Sequence, residues 1–543
     1  MADVGAVSRQ VVPANRGWWQ AARPRLAWSG VVVGAALVLF WCYLRLSQST
    51  SVNSDGAGVV LQGWDMVHGN VLLSGWLLAD VTFATFEAPI DGLVAVVHGL
   101  NPDAVHITAA IVYTLVVLTA ALLAKGTARG TEGVVRAVLA AGIVVAPGIS
   151  PGIHILLLSP DHTGIAVPVM LALLLADRAR PRWFVPVAMG VLLVWAQVDD
   201  PLATYAGAAP IAVVCSVRAL LPLVRGRRPG WYDAGLAAAA VVSVELARLA
   251  VTAIEAAGGY HMRPINGGMG TLFPFTSWGA QLSAFGQNLL ILFGANVSGQ
   301  HGIELAIAYL HLAGVALALT GLLTGLACLV RDADRVTQIL AVATLAILVA
   351  GALATPMVAT SSAHEIAVVL PFSAVLAGRT VGSWLVRMRW RGPRLALPLL
   401  LAAALAGYVA ALGYGVAQPA LPAETQGLAD WLVAHHLTGG LAKYWAANST
   451  TLSAGGRVHV YPVTGNAQSP YTWVAKSAWY DPATSRADFV IAMPGSGNAY
   501  AFSEAGVRSV FGKPAREYRV NQYIIMVWDK NLLLTVHLSG LAR

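Results

Sequence analysis

Apolar runs about as long as a bilayer is thick recur over most of this chain, and its basic residues collect in alternate gaps between them. Crossing a hydrocarbon core of about 30 Å takes roughly 20 apolar residues in a helix. Runs of that kind lie near 26–46, 104–124, 134–152, 163–176, 183–198, 202–222, 234–254, 303–330, 336–355, 364–386 and 395–416. With the N-terminus on the cytoplasmic side, the connections on that side receive Arg9, Arg16, Arg23, Arg25, Lys125, Arg129, Arg136, the arginines of 178–182 and 218–228, Arg331, Arg335, and those of 379–394. The opposite connections receive Arg45, Arg263 and Arg248. Basic residues are retained on the cytoplasmic side of membrane proteins, so this sorting supports both the parse and an odd number of spans.

Composition agrees. The chain has 543 residues, of which 57% are hydrophobic and 11% charged, against roughly a quarter charged in soluble domains. A soluble fold could not hide that much apolar surface. The net charge of +8 is explained by the sorted arginines, so no nucleic-acid partner is implied. Cys42, Cys215 and Cys328 all fall inside apolar runs, without metal-ligand or redox spacing, and read as packing residues. The run after the basic N-terminus is long for a cleavable signal and reads as a retained first span. The sequence therefore predicts a polytopic α-helical membrane protein of about 11 transmembrane helices in the cell membrane. It divides into a cytoplasmic basic N-terminus (1–25), a transmembrane domain (26–418) with large outer loops at 47–103 and 255–302, and a soluble region (419–543). In the last region apolar stretches alternate with turn residues, which predicts a mixed α/β domain, extracytoplasmic by the parity of the spans.

The chemistry-bearing residues gather on the outer side. The first outer loop opens with NSDGAG, which sets Asp55 among small residues where backbone can approach a ligand. Val60, Trp64, Val67 and Val71 follow at helical spacing, and 86–98 repeats the pattern, so two amphipathic helices lying in the interface are expected. Asp65, Asp80, Asp91 and Asp103 read as solvated or capping residues. Asp161 and His162, side by side, suit a divalent cation or acid–base work, and equally suit a helix cap. Asp199 and Asp200 favour a cation between them, or cap a helix ahead of Pro201. In the second outer loop Tyr260 and His261 are candidate sugar contacts, and Arg263 suits a phosphate. His364 and Glu365 open the tenth run on the same side.

The layout resembles the GT-C class of integral membrane glycosyltransferases. The residues carrying the likeness are NSDGAG at 53–58 with the amphipathic stretches after it, SPDHTG at 159–164 and VDD at 198–200. The stretch from LAKYWAANSTTLSAGG at 441–456 to WDKNLL at 528–533 is similar to outer domains of actinobacterial membrane proteins of this type. The WWD tripeptide of oligosaccharyltransferases does not occur. The resemblance implies a polyprenyl-phosphate-linked sugar as donor and an extracytoplasmic acceptor hydroxyl, on a cell-envelope glycan, lipid or protein. It implies Asp55 as general base or metal ligand. Asp161, His162, Asp199 and Asp200 would position a divalent cation (Mg or Mn) or the acceptor, and Arg263 would hold the donor phosphate. Two rivals stand beside it. A transporter or flippase would use ionisable residues inside spans, for which Glu245 and Arg248 are the candidates. A non-enzymatic membrane protein with a glycan-binding outer domain would not require Asp55.

Overall fold

The computed structural model describes residues 16–149, 152–158, 162–224, 226, 228–262, 272–330, 334–355, 362–388 and 395–537. Asp161 and Arg263 lie outside the described residues. Among the described residues, eight helical stretches are long and apolar enough to cross a membrane. They are Ser29–Ser47 within α1 (Arg16–Ser47), α4 (Asp103–Lys125), Thr204–Leu223 leading into α9 (Ala209–Val224), α10 (Trp231–Ala256), α12 (Gly302–Ala327), α13 (Arg335–Leu353), Ala363–Arg387 containing α14 (Val369–Arg387), and α15 (Ala396–Val416).

The other three expected runs are also helical but shorter: α5 (Gly130–Val144), α7 (Ala166–Arg178) and α8 (Phe184–Asp199), of 15, 13 and 16 residues. At about 1.5 Å per residue each falls short of a 30 Å core. The run 134–152 breaks after Val144, and a separate short helix, α6 (Gly152–Leu157), follows. An unforeseen helix, α11 (Trp278–Leu292), lies in the second outer loop, where Gln281, Gln287 and Asn288 interrupt the apolar pattern.

One span is central. The stretch Ala363–Arg387 is 94% buried over its apolar window, and at its far end Arg379 is clamped by Asp177 (3.0 Å), Asp334 (2.8 Å) and the Leu123 carbonyl (2.7 Å). A guanidinium buried among helices needs this full set of partners, and it ties α4, α7, α13 and α14 together at the arginine-rich end.

At the other end, the first loop folds as expected into two amphipathic helices, α2 (Ser54–Val67) and α3 (Glu87–His98). They touch backbone to backbone: a Cβ on Gly63 would stand 2.2 Å from the Ala88 carbonyl oxygen, and one on Gly92 2.5 Å from that of Gly63. Only glycine permits that approach. Between them β1 (Trp76–Leu78) pairs in parallel with β2 (His261–Met262) of the second long loop, and antiparallel with β6 (Ala475–Lys476) of the C-terminal region. Two loops and the C-terminal region, assigned to one side by the arginines, thus share one small sheet.

The C-terminal region is a mixed α/β fold. Its sheet contains β3 (Gly439–Ala442), β4 (His459–Thr464), β5 (Ser469–Pro470), β7 (Phe489–Met493), β8 (Phe502–Ser503), β9 (Arg516–Val520) and β10 (Tyr523–Val527), in the order β5-β4-β3-β7-β10-β9 with β8 beside β7. The β3 pairings are parallel and those of β10 antiparallel. Its helices are α16 (Gln426–Ala434), α17 (Tyr444–Ser453) and α18 (Glu504–Phe511). Helix α17 packs on α2, where Ser54 Oγ donates to the Tyr444 carbonyl at 2.5 Å. A second tie is Lys476, whose ammonium lies 2.9 Å from Asp65.

Candidate active site

Asp55 stands in the first turn of α2, behind an Asn53 cap whose side chain accepts from the Gly56 N–H at 2.9 Å. The exposed N–H groups of a first turn favour a carboxylate there. The Tyr444 hydroxyl, from the C-terminal domain, donates to Asp55 Oδ1 at 2.5 Å. The next residue, Gly56, fits against the Leu158 carbonyl; a Cβ there would come within 2.9 Å of it. Leu158, just before the SPDHTG segment, therefore packs against the helix that carries Asp55.

His162, in that loop, adopts a left-handed backbone (φ +39°) that a non-glycine residue holds only under constraint. The constraint is visible. Its Nδ1 lies 2.5 Å from Asp200 Oδ2, its Nε2 lies 3.7 Å from Glu365 Oε2, and its ring stacks parallel to His364 at 6.0 Å. An Nδ1–H donated to Asp200 leaves Nε2 facing Glu365. Asp200 Oδ1 also accepts the Leu202 N–H at 2.8 Å. Asp80 belongs to the same group. Burial pushes its carboxyl up, Glu365 and Asp200 add to that, and His162 opposes them.

Asp199 plays a different part from its neighbour. It is 1% exposed, and its Oδ1 accepts from Thr85 N (2.8 Å), Thr85 Oγ1 (3.1 Å) and Phe86 N (2.9 Å). It fixes the entry to α3 and packs against Glu87. Burial, then the Asp199 charge, push the Glu87 carboxyl well up. Gly56, Glu87, Asp91, Thr108 and Thr163 line one small cavity of about 20 Å³. Asp55 and His162 each adjoin a wall residue of that cavity, and Asp199 faces a third, so the three stretches converge.

The remaining expected residues separate. Tyr260 is 2% exposed and sits in a core with Leu73, Trp76, Leu78 and Tyr444. Burial pushes its hydroxyl up to about 12, and that hydroxyl lies beside the Thr82 side chain. His261 is exposed, 4.0 Å from Glu255. Of the proposed cation ligands, Asp161 is outside the described residues, Asp199 is engaged by the loop and Asp200 by His162. Among the described residues no group of three or more His, Cys, Asp or Glu is arranged to hold a metal ion. Glu245 and Arg248 pair with each other at 3.0 Å on an exposed face of α10.

Sequence reasoning passed over three participants. Asp80 reads locally as a loop acid. Glu87 has no pattern to mark it as buried. Tyr444 lies in another domain, and nothing near it in sequence points to Asp55.

A helical membrane bundle with a sheet-containing C-terminal domain is a fold found among solved membrane glycosyltransferases. The chain has that fold. It superposes on ArnT from Cupriavidus metallidurans with a TM-score of 0.57 at 13% identity, covering 95% of this chain and 99% of ArnT. It also matches the Archaeoglobus fulgidus oligosaccharyltransferase (TM-score 0.48, 13% identity, 88% of this chain and 70% of that one). A third match is the arabinofuranosyltransferase AftD from Mycobacteria (TM-score 0.46, 16% identity, 92% and 42%). No protein-family model matches the chain, and no curated protein matches it in sequence.

Proposed function

We propose that this protein is a GT-C-type glycosyltransferase, moving a sugar from a polyprenyl-phosphate donor to a hydroxyl of an extracytoplasmic acceptor. The observation that supports this reading is that Asp55 and His162 each flank a residue lining one small cavity, with Asp200 and Glu365 beside His162 and Tyr444 of the C-terminal domain on Asp55. A donor with a polyprenyl tail stays in the bilayer, so its phosphate and sugar reach a protein at the ends of its spans, where these groups lie.

In this reading Asp55 takes the proton of the acceptor hydroxyl. The acceptor oxygen bonds to the anomeric carbon, the bond from that carbon to the phosphate oxygen breaks, and the electron pair leaves with the polyprenyl phosphate. General-base help of this kind is worth roughly 10²–10⁴-fold. His162, held by Asp200, positions the acceptor, and Arg263 clasps the departing phosphate. No step requires a divalent cation from Asp199, which the loop already engages.

The test is transfer from a labelled polyprenyl-phosphate sugar by wild type and by Asp55→Asn, a nearly isosteric change. The reading expects loss of transfer by roughly 100-fold or more with expression and folding retained. Normal transfer by that variant removes Asp55 from the chemistry, whereas absence of transfer by wild type favours the non-enzymatic, glycan-binding reading.

A further inference from the structure

A second site lies at the opposite end of the bundle. A cavity of about 500 Å³ opens between α5, α12, α15 and the end of α14. Its walls are almost wholly apolar, with Val138, Leu317, Leu401 and Leu405 among them, and Tyr408 stands toward one end. Small residues make the room: a Cβ on Gly142 would already come within 2.9 Å of Leu405. Along α5 the lining runs from Thr131 to Ile143, about 18 Å at the helical rise, which is close to one leaflet's share of a 30 Å core.

The mouth of this groove is basic. Arg129 stands two residues before Thr131, and Arg387 follows the lining residue Val386. Both are exposed; Arg136 pairs with Glu132 at 2.5 Å, and Arg387 also acts on the Glu132 carboxylate. His364 and Glu365 precede α14, while Leu385 and Val386 end it. The groove mouth is therefore about 30 Å from the candidate active site, too far to serve as its sugar pocket.

An apolar slot of leaflet depth, with Arg129 and Arg387 near its rim, matches one class of ligand. We infer that it holds an acyl tail of an anionic glycerophospholipid from the arginine-rich leaflet, with the headgroup phosphate against Arg129 and Arg387. The bound tail fills the gap between α5 and α15. Since α15 leads into the C-terminal domain, the lipid steadies the helix from which the Tyr444-bearing domain hangs.

The experiment is lipid analysis by mass spectrometry of the full-length protein, purified and stripped in detergent, then offered phosphatidylglycerol and phosphatidylcholine vesicles in turn. Wild type is expected to retain about one phosphatidylglycerol per chain and to discriminate against phosphatidylcholine by roughly tenfold, as a pair of charge-assisted contacts allows. Ala402→Trp, which fills the groove, should abolish retention. The Arg129→Gln/Arg387→Gln double variant changes only exposed side chains and keeps the test open should the tryptophan variant misfold; it should lose the discrimination. Equal retention of both lipids by wild type, no retention, or an unchanged preference in the arginine variant overturns the inference. None of these readouts depends on sugar transfer.

Discussion

The hydroxyl of Tyr444 donates to Asp55 Oδ1 at 2.5 Å, so a residue of the C-terminal domain holds the carboxylate at the start of the first interfacial helix. That bond orients the carboxylate. Tyr444→Phe removes one oxygen and leaves the Ser54-to-Tyr444 backbone bond in place. We expect kcat for sugar transfer to fall by about tenfold, equivalent to about 1.4 kcal/mol, with KM and melting temperature little changed. An unaltered kcat would mean that the contact is only a domain tie.

His162 and Asp200 should act as a unit, because the 2.5 Å contact between them sets which imidazole nitrogen faces the site. Asp200→Asn should lower kcat/KM by roughly tenfold and His162→Ala by more, while the double variant should do no worse than His162→Ala alone. A double-variant loss equal to the product of the two single losses would show independent roles.

Glu87 and Asp91 are buried, with one oxygen each lacking a hydrogen-bond partner, and burial pushes both carboxyls well up. The folded protein therefore holds protons there that the unfolded chain releases. Stability from these groups is full below the ordinary carboxylate range and is lost as pH rises through the raised folded values. Asp91→Asn keeps the shape without the ionisation, so thermal unfolding should show a gain over wild type that widens with rising pH. A gain that widens as pH falls would contradict the sign.

Asp65 behaves in the opposite way. Burial works against its charge, but hydrogen bonds from Trp76, Lys476 and Asn70 hold the carboxyl below the usual range. Its contribution is present at neutral pH and is lost as pH falls through the depressed value. Asp65→Asn should loosen the docking of the C-terminal domain by roughly 1–3 kcal/mol, seen as faster hydrogen exchange at 76–78 and 475–476. Unchanged exchange there would show that the Asp65 contacts do not hold the domain in place.

Much of this architecture was legible because bilayer physics writes itself into sequence. Each of the eleven expected apolar runs contains helix among the described residues, and NSDGAG and 86–98 fall on the two interfacial helices. Three of the runs are short helices, and one of them, α7, is buried by its tertiary neighbours α4 and α8. Pairings between distant residues were not legible. VDD predicts two like carboxylates, yet Asp199 turns to backbone N–H groups of 85–86 while Asp200 turns to His162, and only the fold separates those roles. Tyr260 carried an aromatic expectation that suits a sugar face; the fold buries it beside Trp76 and Tyr444. The Tyr444–Asp55 contact joins residues from different domains, which no local pattern encodes.

The most direct measurement is the sidedness of transfer. In vesicles of defined orientation containing a labelled polyprenyl-phosphate sugar, a water-soluble acceptor that cannot cross the bilayer is supplied to one face at a time. The account predicts labelled product only when the acceptor reaches the face bearing Asp55 and His162, and none with Asp55→Asn. Product formed from the arginine-rich face, or undiminished by that substitution, would contradict it.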